Sequence, residues 1–493
     1  MQIKNGSYKT IGICISCIAL MFVNGQCFAQ HTGNRPNIIF IMADDHDMQS
    51  ISSYGSKLIQ TPGIDRLANE GMRFSNCFSV NSICAPSRAD LITGKYNQLN
   101  GVLRIGDKLD EKQLTFPMLL QQAGYTTALI GKWHLVSEPQ GFDYYNVLPG
   151  QGQYFNCPMK EKGQPWLDGN KGGIPSKGFI TDVITDRSIE WLKNNSTGNP
   201  FFLMIHHKAP HTPHEYPGKY DSLYAHTDIP LPETFNDDYA GKNPGLQNEN
   251  AGFSRLDHIY PDHIKEKAAK GLSKEQFKYW AYQSFFKGYL RLVASLDENI
   301  SRLLLYLDES GLSKNTIVVY TSDNGFFMGE HGLFNKMWMY EESMRLPLLI
   351  RYPGIVKAGS VNNEMVSILD FAATFTDIAK AKISPEMQGR SIVPLLKGEM
   401  PKDWRDAIYY HYFDQYEVPE HVGIRSKQYK LIQFFDKKNN TSFKELYDLK
   451  TDPHELKNIY YTTSNKALKD KLETALNKMR IKFERLPDST SFK

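Results

Sequence analysis

Short apolar runs rich in branched side chains recur along the chain, and between them lie stretches in which apolar residues return every three to four positions. Residues 37–42, 74–80, 126–130, 201–206, 316–321 and 346–352 are of the first kind. Each is brief, and most are apolar at successive positions, which predicts strands covered on both faces. Residues 115–123, 184–193 and 284–307 are of the second kind and predict helices. Their alternation predicts an α/β fold, a large mainly parallel sheet sandwiched by helices. Residues 217–273 interrupt it. They are polar, rich in Pro, Asn, Asp and Gly, and lack a period, which predicts a long surface excursion beside the functional site.

Past residue 396 the pattern changes. Residues 404–413, 422–425 and 429–435 alternate like antiparallel strands, and 465–483 close as an amphipathic helix. This predicts a main catalytic domain over 30–396 and a small C-terminal α+β subdomain over 397–493, with no internal repeat. The first 29 residues belong to neither. Lys4 and Lys9 precede an uncharged stretch from Thr10 to Val23, and Cys27 and Ala29 stand three and one positions before Gln30. That layout predicts a cleaved signal peptide over 1–29, because the apolar run is shorter than the roughly 20 residues that span a bilayer. The mature chain is then expected in the periplasm. A lipid-anchored form through Cys27 fits less well, since Gly25 and Gln26 precede that cysteine, and no other stretch predicts a stable membrane span.

Composition narrows the function. The 493 residues are 41% hydrophobic and 23% charged, as in globular proteins, and the formal charge of +3 gives no electrostatic support to a nucleic-acid partner. Without the signal, Cys77, Cys84 and Cys157 remain. Cys77 and Cys157 are either one disulfide or two buried thiols.

The polar residues of interest stand directly after the predicted strands, where open α/β sheets bind ligands. Asp44 and Asp45 follow the first run, and Asp323 and Asn324 follow 316–321. Carboxylates with an amide carbonyl suit a hard cation, Ca2+ before Mg2+, whereas either pair alone fits a helix cap or Asx turn after a strand. Lys132 and His134 follow 126–130 and would face one side if the chain stayed extended. His206, His207, His211 and His214 crowd the stretch after 201–205, but no cysteine lies near them to favour zinc. Cys84-Ala85-Pro86-Ser87-Arg88-Ala89-Asp90-Leu91-Ile92-Thr93-Gly94 fits the pattern CxPSRxxLxTG at every fixed position.

That segment resembles the signature of the formylglycine-dependent (type I) sulfatases of the alkaline-phosphatase-like superfamily. Gly131-Lys132-Trp133-His134-Leu135, Asp323-Asn324-Gly325, His331-Gly332-Leu333 with Lys336, and Glu445-Leu446-Tyr447-Asp448-Leu449 resemble further segments of the same family. The resemblance implies an alkaline-phosphatase-like fold and hydrolysis of sulfate esters. It implies that Cys84 is oxidised to formylglycine by an anaerobic-type sulfatase-maturating enzyme, and that its hydrate is the nucleophile. Asp44, Asp45, Asp323, Asn324 and residue 84 would hold the metal. Arg88 would hold the hydrate, Lys132 the sulfate or the nucleophile, and Lys336 the sulfate while assisting the leaving oxygen; His211 would contact the transferring group, and His134 would take the proton that releases sulfate. Residues 137–154 resemble bacterial glycan sulfatases related to N-acetylglucosamine-6-sulfatases, which implies an exo-acting enzyme on sulfated glycosaminoglycan or mucin sugars. Two other readings stay open, a phosphonate monoester or phosphodiester hydrolase of the same superfamily and a catalytically inactive protein that binds sulfated glycans.

Overall fold

The computed structural model describes residues 35–196, 198–247, 270–436 and 441–484, together with the first two residues and Gly252. The signal-peptide reading therefore lies outside the described residues, as does most of the second half of the excursion after residue 217. Among the described residues no helix is long and apolar enough to cross a membrane.

The expected sheet is present and has eleven strands among the described residues. At its centre Asn37–Asp44 runs parallel to Thr316–Ser322 on one side and to Phe201–Pro210 on the other. Thr126–Lys132 and Tyr144–Leu148 extend the parallel set beyond Phe201–Pro210. Arg345–Arg351 runs against both of its neighbours, Thr316–Ser322 and Met72–Phe78. Alternate side chains of a strand point to opposite faces. Accordingly Ile38, Phe40 and Met42 enter one apolar cluster while Ile39, Ile41 and Ala43 enter another. The helices Phe116–Gln122 and Asp370–Ile378 contribute to the first cluster, and Pro62–Glu70, Ile180–Asn195 and Lys274–Glu309 to the second. Burial on both faces explains why these strands are apolar at successive positions. Cys77 and Cys157 are free thiols, one in each cluster, so the sheet separates them and no disulfide forms.

The helix Lys274–Glu309 begins ten residues before the expected 284. Ser273 caps it, and the Gln276 side chain accepts from the Ser273 backbone N–H in a capping box. In the excursion, Ile229 and Phe235 pack against this helix beside Phe285 and Tyr289.

The C-terminal subdomain is a four-stranded antiparallel sheet, Ala407–Tyr412, His421–Ser426, Tyr429–Asp436 and Thr441–Asp448, closed by the helix Lys466–Phe483. It forms one compact unit with the main domain. Buried charges tie the two together. Lys430 Nζ lies 2.9 Å from Glu341 Oε1 and 2.7 Å from Glu455 Oε1, while Arg425 Nη2 donates to Glu341 Oε2 at 2.9 Å. Removing one member of such a cluster strands its partners in a medium of low polarity. Lys430→Met is expected to lower unfolding free energy by about 3 kcal/mol, the low end for a broken buried pair. Glu341 would keep Arg425, and Glu455, already pushed up to about 8 by burial, could take a proton. Urea unfolding checks this, and a midpoint unchanged by the substitution would contradict it.

Candidate active site

Strand register sets the site. Ala43 is level with Ser322, Asp44 with Pro210, and Gly131 with His206, so Asp44, Lys132, His211 and Asp323 leave four neighbouring parallel strands at one edge of the sheet. Gly131 permits the close approach. Its φ is 109°, and a Cβ there would stand 1.9 Å from His206 O. Asp45 turns the chain at φ 66°, in the left-handed region that Asp enters more readily than most residues. The helix Cys84–Thr93 begins at Cys84 itself, which puts that residue at the positive end of the helix dipole.

The predicted site residues converge, and all are buried apart from the partly buried His211. Lys336 Nζ donates to both carboxylate oxygens of Asp45 at 2.5 Å and to Cys84 Sγ at 3.2 Å. Arg88 donates through Nε to Asp323 Oδ2 at 3.0 Å and through Nη1 to Lys132 O at 2.9 Å. Its Nη2 lies 2.9 Å from Asp323 Oδ2 and 3.7 Å from Asp44 Oδ1. Lys132 pairs with Asp44 Oδ2 and donates to Gln151 Oε1 at 2.5 Å. Asn324 Nδ2 donates to Asp45 Oδ1 at 2.7 Å. His211 Nε2 stands 3.6 Å from Asp45 Oδ2, and its Nδ1 donates to Thr212 O at 2.6 Å.

Three carboxylates thus meet three cations among buried side chains, and the balance of burial and charge shifts two of the carboxyls. Burial alone would raise the Asp44 carboxyl, but Lys132, His211, Arg88 and Lys336 hold it well below its usual range. Asp323 is pushed up to about 7 by burial and by Asp44, against Arg88. Burial pushes the Cys84 thiol up to about 12, opposed by Lys132 and Lys336. As a thiol Cys84 is therefore protonated and poorly nucleophilic.

The donor set fits a divalent cation. Asp44, Asp45, Cys84 and His211 place one ligand atom each within 4.8 Å of one another. Asp44 Oδ1 and Asn324 Oδ1 are buried acceptors without a hydrogen-bond donor among the described residues, a costly arrangement that a cation would satisfy.

His134 does not continue the strand as an extended chain. It sits in the left-handed region at φ 61°, one residue past Trp133. It still feels the charges of Lys132, Arg88, Asp44 and Lys336, and burial first, then Lys132 and Arg88, keeps its imidazole neutral. Its Nδ1 is buried without a hydrogen-bond partner among the described residues. Of the remaining histidines, His206 Nδ1 donates to Lys132 O at 3.0 Å, His207 is buried, and His214 packs edge-on against Phe285.

Several residues at the site had gone unassigned. Gln151 could have been noticed from the flanking Gly150 and Gly152, both at positive φ. Lys208 and Tyr416 line the same cavity as Asp45, His211 and Lys336. Tyr410, from the C-terminal sheet, accepts through its hydroxyl from Ser82 N at 3.1 Å and donates to Met337 O at 3.0 Å. No local sequence pattern marks either tyrosine. His411 and His421 of the C-terminal subdomain are buried against the main domain, His411 beside Gln98 and His421 beside Trp338.

Comparison with known proteins agrees with this geometry. The family model described as Sulfatase matches residues 36–381, and that described as N-sulphoglucosamine sulphohydrolase, C-terminal, matches 329–482. An N-acetylglucosamine-6-O-sulfatase of Bacteroides thetaiotaomicron is 41% identical over 489 residues, which cover 89% of this chain and 86% of that protein. The solved structure of BT4656 in complex with its substrate D-glucosamine-2-N,6-O-disulfate superposes with a TM-score of 0.84 at 38% identity, covering 92% of this chain and all of that one. A phosphonate monoester hydrolase of Agrobacterium radiobacter shares the fold with a TM-score of 0.74 at 23% identity, covering 91% of this chain and 96% of that one.

Proposed function

The chain belongs to the sulfatase family, whose members are sulfuric ester hydrolases, and we propose that it removes the 6-O-sulfate from N-acetylglucosamine or a related glucosamine residue at the end of a glycan. The observation that carries this reading is the conjunction of Cys84 at a helix start with three carboxylates and Arg88, Lys132 and Lys336 in one buried cluster, which meets a small cavity at Asp45 and Lys336, in a chain 41% identical to an enzyme of that specificity.

In this reading Cys84 is converted to formylglycine by a maturating enzyme before export, and the mature chain acts in the periplasm. Asp44, Asp45, Asp323, Asn324 and residue 84 would hold Ca2+, which when bound supplies positive charge beside the transferring sulfate. Arg88 orients the aldehyde hydrate through its guanidinium fork. One hydrate hydroxyl attacks sulfur as the bond from sulfur to the sugar oxygen breaks, and the proton it gives up passes by way of His211 or Lys336 to the departing sugar oxygen. This leaves a sulfate ester on residue 84. His134, neutral and with a free buried nitrogen, takes the proton of the second hydroxyl. The carbon collapses to the aldehyde, sulfate leaves, and water restores the hydrate. Water is thus consumed once per turn, as hydrolysis requires. Two easier steps replace one difficult one, and Lys132, Lys336 and Arg88 offset the charge of the transferring group throughout.

The test is sulfate release by matured protein. N-acetylglucosamine-6-sulfate is expected to be hydrolysed with kcat/KM at least about 100-fold above that for an aryl phosphodiester. A preference for the phosphodiester would support the phosphonate monoester and phosphodiester hydrolases instead. Binding of the sugar without hydrolysis would support a binding protein.

A further inference from the structure

The connection between Ala407–Tyr412 and His421–Ser426 carries Tyr416 and Glu417 at φ 55° and 62°. Two bulky residues in succession in the left-handed region are costly, and such conformations persist only where surrounding contacts impose them. Those contacts come from the main domain. Gln415 Oε1 accepts from Ile105 N at 3.1 Å, Gln415 Nε2 donates to Ile105 O at 3.4 Å, and Arg104 Nε donates to Asp414 O at 3.1 Å. The Tyr412 hydroxyl donates to Gln415 O at 2.8 Å and holds the loop from within.

The strained turn delivers the Tyr416 ring, with Ile105, to the wall of the cavity that also contains Asp45, His211 and Lys336. Tyr416 is 54% exposed, although the residues around the reacting centre are buried. No step of the cycle needs a phenol there. A large ring left partly in water at the edge of the pocket keeps apolar area available for a ligand to cover. The cavity, about 320 Å³, is at the small end of ligand pockets and suits one sugar ring rather than a length of chain.

We propose that Tyr416 is a specificity-determining residue, a platform on which the apolar C–H face of the sulfated pyranose stacks while its sulfate reaches Lys132 and Lys336. This rests on the sugar-sulfate reading above. The C-terminal subdomain then takes part in sugar recognition through this loop, and its histidines do not.

Matured wild type, Tyr416→Ala and Tyr416→Phe are compared on N-acetylglucosamine-6-sulfate, with inhibition by inorganic sulfate measured alongside. Tyr416→Ala is expected to raise KM about tenfold and to change kcat less than threefold. Tyr416→Phe, which keeps the ring, should restore KM to within twofold of wild type. The inhibition constant of sulfate, which has no ring to stack, should not move. An unchanged KM in Tyr416→Ala would overturn the proposal, as would sulfate inhibition weakening in step with KM, which would place the damage at the anion site. Wild type that leaves the sugar intact while cleaving another ester would overturn the substrate reading, and this inference with it.

Discussion

Cys84→Ala is expected to lower sulfate release from N-acetylglucosamine-6-sulfate by about 10⁵-fold while leaving the fold intact. Removing the nucleophile of a covalent mechanism costs on that order, and binding groups alone retain only a residue of catalysis. Alanine fills most of the buried space and leaves Lys336 its bonds to Asp45, so the thermal midpoint should hardly move. The unmodified thiol offers no substitute, since burial keeps it protonated. Two measurements decide the matter, single-turnover sulfate release and labelling with a carbonyl-reactive hydrazide. Label on the wild-type peptide that contains residue 84, and none on the variant, would tie the activity to the aldehyde. An alanine variant within tenfold of wild type would sink the assignment.

Asp45→Asn is expected to lower kcat/KM by about 10³-fold, because it removes one charged donor of a hard-cation site and leaves Lys336 without its carboxylate. Chelation of the wild type should cost at least about 100-fold, with Ca2+ restoring activity at lower concentration than Mg2+. A structural readout accompanies the kinetic one. Anything that binds only the folded state raises its stability, so added Ca2+ should raise the thermal midpoint of wild type but not of Asp45→Asn. The buried Asp44 Oδ1 and Asn324 Oδ1, which lack donors, motivate this expectation. Full activity after exhaustive chelation would contradict it.

Much of this molecule was legible because its strands are buried on both faces. The run 37–42 needed no alternation to be recognised, and the carboxylates behind it fell at the functional edge of the sheet. Elements that carry buried polar groups were harder to see. The strand Thr441–Asp448 went unrecognised because Lys444 and Glu445 interrupt its apolar pattern, yet Glu445 is buried and accepts from Asn243 N at 2.6 Å and from the Tyr340 hydroxyl at 2.8 Å. The reversed direction of Arg345–Arg351 leaves no trace in its composition. The early start of the helix at Lys274 was written in Ser273 and Gln276, but the apolar face, which sets in later, dominated the pattern. At the site, residues inside motifs were found from the motifs, whereas Gln151, Lys208, Tyr410 and Tyr416 arrive by tertiary packing.

Tyr410 has a bearing on how such enzymes can be cut or shuffled. Its single hydroxyl fastens the peptide two residues before Cys84 to the peptide one residue after Lys336. A chain trimmed to the α/β portion would lose the pin that sets the nucleophile against its lysine. Grafting a foreign C-terminal sheet would have to supply an equivalent phenol before it could donate a new sugar preference.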